Sequence, residues 1–206
     1  QITAGFLLAL FLGAGREQLS TAELRKLGLE LLKMPAHVTE VIENLDLARE
    51  LGKQMANAKS VLFLGRNVGF PIAMEGALKL KELAYIHAEG FAAGELKHGP
   101  IALIEEGQPV IVIVPSQRDE ESLHPKVISN IQEIRARGAK VIAIAEAGDT
   151  QVADYAEHVI FVPQAESMFA PILTVIPLQA FALELSTAKG LDVDQPRNLA
   201  KSVTVE

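Results

Sequence analysis

Four short runs rich in branched apolar residues constrain the fold of this chain more than any other feature. They are SVLFLG (60–65), PVIVIV (109–114), KVIAIA (140–145) and HVIFVP (158–163). Continuous apolar runs, rather than alternating ones, are typical of strands that are buried on both faces of a sheet. We therefore expect these runs to be neighbouring strands at the centre of the molecule.

Segments with helical patterning separate the four runs. They lie at 71–89, near 119–137 and at 171–190, and EGFAAG (89–94) is a candidate for one further strand. Strands that alternate with helices predict an α/β fold, in which a doubly wound parallel five-stranded sheet is flanked by helices. Ligands bind outside the carboxyl ends of the strands in such sheets, so the loops after residues 65, 94, 114, 145 and 163 are the expected binding edge.

The first 59 residues contain no strand-like run and predict a helical segment. A first helix should end at Gly13, a second should be capped by Thr21 and interrupted at Pro35, and a third pattern follows over 37–58. The opening run QITAGFLLALFLG has no capping residue before it and is too short to span a bilayer. We interpret it as the later part of a buried helix, so that the sequence would start within a helix of a longer chain.

The amino-acid composition excludes several classes of function. The net charge is −7 and the chain has no cluster of Lys and Arg, so we expect neither a nucleic-acid partner nor a membrane partner. The absence of cysteine excludes disulfides, thiolate catalysis and cysteine zinc sites, and agrees with a cytoplasmic location. The histidines show no i,i+4 pairing, and we expect no metal site.

One polar stripe runs along the predicted helix 71–89. Its members are Glu75, Lys79, Glu82, Ile86 and Glu89, and most of the remaining circumference is apolar. The spacing predicts ion pairs from Lys79 to Glu75 and to Glu82, each worth about 0.2–0.5 kcal/mol on a surface. The pattern alone favours such ordinary pairs. The narrowness of the stripe favours a second interpretation, a carboxylate tuned to act as a proton-shuttling base.

The loop GELKHGP (94–100) places ionisable groups between apolar segments. His98 is the side chain best suited to proton transfer near neutral pH, although a plain surface turn is the alternative. GRNVG (65–69) has the position of a phosphate-binding turn, but it lacks Ser and Thr hydroxyls, and a tight strand-to-helix turn is the better interpretation.

The polar C-terminal segment DVDQPRNLAKSVTVE (192–206) is either a frayed end or is pinned by Leu199, Val203 and Val205. If it is held, Lys201 could form a Schiff base or bind an oxyanion. A carboxylate, one or two lysines and a histidine suit enolisation next to a carbonyl, as in aldose–ketose isomerisation. They fit a module that only binds a sugar equally well.

Three segments of the sequence resemble segments of a known protein family. GALKLKE (76–82), AGELKHGP (93–100) and DQPRNLAKSVTVE (194–206) resemble the C-terminal part of the glucosamine-6-phosphate synthase family, also called glutamine–fructose-6-phosphate aminotransferases (isomerising). The resemblance covers essentially the whole chain. It implies the closing helix of a first sugar-isomerase (SIS) domain at 1–15, a helical connector at 16–59, a second SIS domain at 60–190 and an active-site tail at 191–206.

The resemblance also implies roles for individual residues. Glu82 matches the base that moves a proton between C1 and C2 of the open-chain sugar imine, and Lys79 matches the lysine that assists it. His98 matches the ring-opening histidine, which the family's homodimer contributes to the neighbouring subunit's site. Lys201 matches the tail lysine that engages the sugar carbonyl, and the backbone of Ala200 lines the same pocket. No cofactor is implied.

The implied reaction converts fructose 6-phosphate and glutamine to glucosamine 6-phosphate and glutamate. The family's Ser/Thr-rich phosphate loop belongs to its first SIS domain, and its glutamine-hydrolysing cysteine belongs to an N-terminal domain; neither is in this sequence. We therefore expect this chain alone to be inactive and to bind fructose 6-phosphate weakly. A non-catalytic sugar-phosphate-binding SIS module and a dimerisation fragment are the alternative readings.

Overall fold

A computed structural model describes residues 1–118 and 122–199. Five parallel strands in these ranges form one sheet in the order β2-β1-β3-β4-β5. The strands are β1 Ser60–Gly65, β2 His87–Ala92, β3 Pro109–Ile113, β4 Lys140–Glu146 and β5 His158–Val162. The predicted five-stranded parallel sheet is confirmed. The chain order reverses between β1 and β3, which makes the carboxyl ends of these two strands the switch point of the sheet.

Within the described ranges, six longer helices surround or precede the sheet. They are α1 Ile2–Gly15, α2 Thr21–Glu43, α3 Asp46–Gln54, α4 Gly69–Lys79, α5 His124–Arg135 and α6 Ala170–Ala188. Short helical turns follow α4 (Leu80–Ala84, a π turn) and the strands β2 and β4 (Ala93–His98, Pro100–Leu103 and Val152–Asp154, all 3₁₀).

The two faces of the sheet build two separate cores. Phe63 and Ile111 point into a core shared with α3, α4 and α6, whereas Leu64 and Val112 point into a core shared with α5. This alternation is the strand period of two, and it explains why every central strand is apolar on both faces. Of the helices in the described ranges, α6 alone is long and apolar enough to span a membrane; half of it is buried here as a core helix.

The N-terminal predictions are corrected in detail. The Ser20 hydroxyl, not Thr21, caps α2: it accepts the Glu23 N–H at 3.3 Å, while the Glu23 carboxylate accepts the Ser20 N–H at 2.7 Å. This reciprocal pair is a full capping box, which begins one residue earlier than predicted. The helix also continues through Pro35 to Glu43, where the buried side chains of Met34 and Val41 hold it against the core.

The predicted helix 71–89 is too long. The α-helix begins at Gly69 and gives way to the π turn Leu80–Ala84, and Tyr85 ends it with a left-handed backbone (φ 55°). Ile86 is therefore buried outside the helix, and Glu89 belongs to β2, so neither is in the polar stripe. Pairing with β1 overrides the helical propensity of the sequence HAEGFA, as tertiary context commonly does.

The helix is also less buried than predicted. Met74 is 51% exposed and Leu78 is 40% exposed, so one apolar side of α4 faces outward next to the polar stripe.

Candidate functional site

Lys79 lies between two carboxylates on the last turns of α4. Its Nζ atom is 2.6 Å from Oε2 of Glu82 and 3.6 Å from Oε1 of Glu75, as the helical spacing predicted. Both Lys79 and Glu82 have side chains that are 27% exposed. The hydrogen bond with Glu82 raises the pKa of the Lys79 ammonium above its ordinary value, and the charge of Glu75 adds to this, while partial burial works against it. Lys79 is therefore a cation at neutral pH.

The π turn sets the position of Glu82. Leu80 and Ala84 are fully buried on the inner side of this turn, which leaves Glu82 half-buried on its outer side. A π turn adds one residue to a helical turn and is frequent at functional sites. Glu82 borders an open cleft of about 450 Å³. The cleft is lined by Lys81, Glu82, Tyr85, Ile86, His87, Arg197, Asn198 and Leu199.

The C-terminal segment reaches this cleft. Arg197 donates its backbone N–H to the Tyr85 hydroxyl oxygen at 2.7 Å, and its guanidinium lies 4.1 Å from the centroid of the Tyr85 ring. Residues up to Leu199 are thus held beside Glu82 rather than frayed. The predicted anchor Leu199 is instead 53% exposed, and Arg197 makes the contacts that hold the segment. Ala200, Lys201, Val203 and Val205 lie outside the described residues.

His98 lies apart from the cleft in this chain. It ends the short turn Ala93–His98, in which Ala93 and Leu96 are fully buried while His98 is exposed. The side chains of Ala93 and Leu96 fix the turn to the core that contains α5. The described residues therefore bring together Lys79, Glu82 and the segment 197–199, and they leave His98 outside this group.

A match to a known domain family covers most of the sheet and its helices. The SIS domain matches residues 54–189, which is more than half of the chain. The chain belongs to the SIS domain family.

The relatives that this SIS chain matches are much longer. It is 62% identical over 206 residues to a glutamine–fructose-6-phosphate aminotransferase [isomerizing] from Corynebacterium efficiens, and 64% identical to one from Leifsonia xyli subsp. xyli. Each match covers 100% of this chain and 33% of the relative. The chain thus spans about a third of the length of these relatives.

Solved structures agree with the SIS fold. The C-terminal domain of glucosamine-fructose-6-phosphate aminotransferase from Francisella tularensis is 34% identical, with a TM-score of 0.83 over 91% of this chain and 52% of that one. A putative phosphosugar isomerase from Salmonella typhimurium is 22% identical, with a TM-score of 0.74 over 92% of this chain and 55% of that one. The second likeness concerns the fold alone.

A second cavity, of about 400 Å³, lies at the predicted binding edge of the SIS sheet. Its walls come from the loops after β1, β3, β4 and β5 and from the start of α6. They include Arg66, Asn67, Ser116, Glu146, Ser167 and Thr174 among apolar residues. The turn GRNVG is a tight strand-to-helix turn, since a Cβ at Gly65 would collide with the Gly69 carbonyl. The Arg66 guanidinium is bound to Asn130 Oδ1 at 3.1 and 3.3 Å.

A buried polar cluster near this cavity was not predicted from the sequence. His124 Nε2 lies 2.7 Å from Oδ2 of Asp149, and Gln117 Nε2 donates to Oδ1 of Asp149 at 3.0 Å. Asp149 Oδ1 also accepts the N–H groups of Gln151 and Val152. This cluster ties the loop after β3 to the loop after β4. Since His124 and Asp149 are 25 residues apart, no local spacing could have indicated it.

Proposed function

We propose that this chain is the isomerase part of a glutamine–fructose-6-phosphate aminotransferase (isomerising), which forms glucosamine 6-phosphate from fructose 6-phosphate and glutamine-derived ammonia. The observation that carries the proposal is the half-buried Glu82 carboxylate, paired with the Lys79 ammonium and bordering a cleft that the C-terminal segment also lines. Identity of 62–64% over the whole chain to aminotransferases of this name supports the reaction class.

The proposed chemistry is a proton transfer between neighbouring carbons. Ammonia and the open-chain ketone of fructose 6-phosphate form an imine at C2 with loss of water. Glu82 removes a proton from C1 while the imine nitrogen gains one from solvent, which gives an enolamine. The same proton or one from solvent is then delivered to C2, and the C1 hydroxyl releases its proton to solvent as the C1 carbonyl forms. The product is the aldehyde form of glucosamine 6-phosphate. No net oxidation occurs and the carboxylate is regenerated.

Lys79 supports this role of Glu82 by holding its carboxylate. The Lys79 ammonium donates a hydrogen bond to Oε2 of Glu82 at 2.6 Å, which fixes the orientation of the carboxylate beside the cleft. The raised pKa of Lys79 makes it unsuitable as a base near neutral pH, so the two residues have different tasks. Lys201, by the family resemblance, engages the sugar carbonyl, and the backbone of Ala200 lines the pocket.

His98 is proposed to open the sugar ring in the site of a second copy of this chain. In its own chain His98 is exposed and away from the Glu82 cleft. A homodimer that places the 94–100 loop over the partner's cleft would complete the catalytic set, as the resemblance implies. An imidazole is the side chain best suited to donate a proton to the ring oxygen near neutral pH.

The domain organisation is part of the proposal. Residues 1–15 would complete a first SIS domain, 16–59 would connect it, 60–190 would form the second SIS domain, and 191–206 would be the active-site tail. The helix α1 supports this division because it is apolar all round, and Leu7, Leu8 and Phe11 are 56%, 58% and 73% exposed. A helix of this kind is normally buried. We propose a cytoplasmic enzyme with these additional domains as covalent partners.

A chimaera tests the reaction. This chain would replace the matched third of the Corynebacterium efficiens relative, with which it shares 62% identity. The expected result is formation of glucosamine 6-phosphate from fructose 6-phosphate and glutamine at a rate within about tenfold of the unmodified relative. A folded chimaera that hydrolyses glutamine and forms no amino sugar would contradict the proposal and favour a non-catalytic sugar-phosphate-binding module.

A further inference from the structure

Tyr85 has an unusual backbone conformation next to Glu82. It is one of the few residues other than glycine with a positive φ (55°), and it directly follows the π turn that carries Glu82. A left-handed conformation costs free energy for a bulky residue, and it persists where surrounding contacts compensate. The contacts that Tyr85 makes are therefore expected to compensate for this cost.

Tyr85 makes two different contacts with one distant residue. Its hydroxyl oxygen accepts the backbone N–H of Arg197 at 2.7 Å, and its ring faces the Arg197 guanidinium at 4.1 Å from the centroid. The two residues are 112 positions apart in the chain. The hydrogen bond fixes the backbone of the C-terminal segment, and the cation–π contact fixes its side chain, so the two act on separate groups of Arg197.

The anchored segment has a defined course before Arg197. Asp192 Oδ1 accepts the N–H groups of Asp194 and Gln195 at 2.9 and 3.0 Å, which closes a turn, and Pro196 follows. Proline restricts φ, so the chain enters the Tyr85 contact with little freedom. Arg197, Asn198 and Leu199 then border the same cleft as Glu82.

The two contacts with Tyr85 hold the part of the C-terminal segment that lines the cleft. We propose that Tyr85 is a positioning residue, which docks the C-terminal segment at Arg197 and so keeps residues 197–199 in place as a wall of the Glu82 cleft. The inference rests on the proposed function for its effect on catalysis, but the docking itself does not.

Hydrogen exchange in the 206-residue chain tests the docking without any activity. Tyr85→Phe removes the acceptor of the Arg197 N–H and keeps the ring. The Arg197 amide should then exchange about three- to tenfold faster, the range expected for one lost hydrogen bond. The chain has two tyrosines, and Tyr155→Phe is the matched control that should leave this amide unchanged. An Arg197 amide that exchanges equally fast in the unmodified chain and in Tyr85→Phe would overturn the docking.

A double-mutant cycle in the chimaera tests the consequence for catalysis. Tyr85→Leu and Arg197→Ala should each lower kcat several-fold, and the double variant should be no worse than the more damaged single one, because both remove the same docking. Arg197→Lys, which keeps the cation, should recover part of the loss. If kcat of the double variant fell by the product of the two single losses, the positioning role would be overturned. An inactive unmodified chimaera would contradict the proposed function, and the exchange experiment would still decide the docking.

Discussion

The Nζ atom of Lys79 lies 2.6 Å from Oε2 of Glu82, and both side chains are half-buried where α4 passes into the π turn. The same Lys79 is 3.6 Å from Glu75, one helical turn earlier. Lys79 lies between two carboxylates, and the closer one borders a cleft. The pair of Lys33 with Glu30 differs from it, because Lys33 is 53% exposed.

The raised pKa of Lys79 predicts a stability loss in alkaline solution. A lysine whose pKa is higher in the folded chain stabilises the fold fully below its unfolded value, about 10.4, and this contribution is lost as pH rises through the folded value. Urea midpoints measured from pH 9 to 11.5 should therefore fall more steeply for the unmodified chain than for Glu82→Gln.

The control for this comparison is Glu30→Gln, which removes the pair that Glu30 makes with Lys33 at 2.6 Å. Lys33 is 53% exposed, so solvent screens its interaction. The urea midpoint of Glu30→Gln should fall between pH 9 and 11.5 as steeply as that of the unmodified chain. Equal slopes for Glu82→Gln and the unmodified chain would contradict the role of Glu82 in raising the pKa of Lys79.

Sharing of His98 between subunits predicts complementation. In the chimaera, Glu82→Gln and His98→Ala should each be nearly inactive. The two variants are mixed one to one, dissociated and reassembled, and about half of the resulting dimers are then mixed. Each mixed dimer has one intact site and one doubly altered site. The mixture should regain about a quarter of the unmodified rate.

The control is a mixture of Glu82→Gln with Lys79→Ala, because both residues lie on one helix of the same chain and no intact site can form. It should stay inactive. If the mixture of Glu82→Gln and His98→Ala stays inactive as well, His98 serves its own subunit and the dimer proposal is wrong.

The 206-residue chain alone should bind fructose 6-phosphate weakly. Its turn after β1 is a tight strand-to-helix turn in which Arg66 is bound to Asn130, and it lacks the hydroxyls of a phosphate loop. Calorimetry should give a Kd of about 1 mM or higher. The binding free energy is then no more favourable than about −4 kcal/mol. Micromolar binding would show that this chain holds a phosphate site of its own.

The apolar strands could be predicted from the sequence, and the bounds of β2 could not. The runs at 60–65, 109–114, 140–145 and 158–163 match β1, β3, β4 and β5 to within one residue at each end, because each is apolar throughout. The candidate strand at 89–94 is observed at His87–Ala92, two residues earlier, because its mixed sequence does not mark its bounds and its pairing with β1 sets them.

The same contrast applies to the site. The contact between Lys79 and Glu82 follows from helical spacing and was predicted. The π turn that carries Glu82 was not predicted, because its residues have the same helical pattern as α4. The contact between Tyr85 and Arg197 was not predicted either, because the two residues are 112 positions apart in the chain. The separation of His98 from Glu82 within one chain is a result of the tertiary arrangement of β2 and its following turn.

Proton exchange at C1 of fructose 6-phosphate tests the central claim about Glu82 most directly. In heavy water, the chimaera should replace a C1 hydrogen by deuterium, as followed by proton NMR, and Glu82→Gln should slow this exchange by about 10²–10⁴-fold with glutamine hydrolysis retained. Glu75→Gln, which alters the other partner of Lys79, is the matched control and should slow it far less. Exchange at an unchanged rate in Glu82→Gln would show that another group moves the proton.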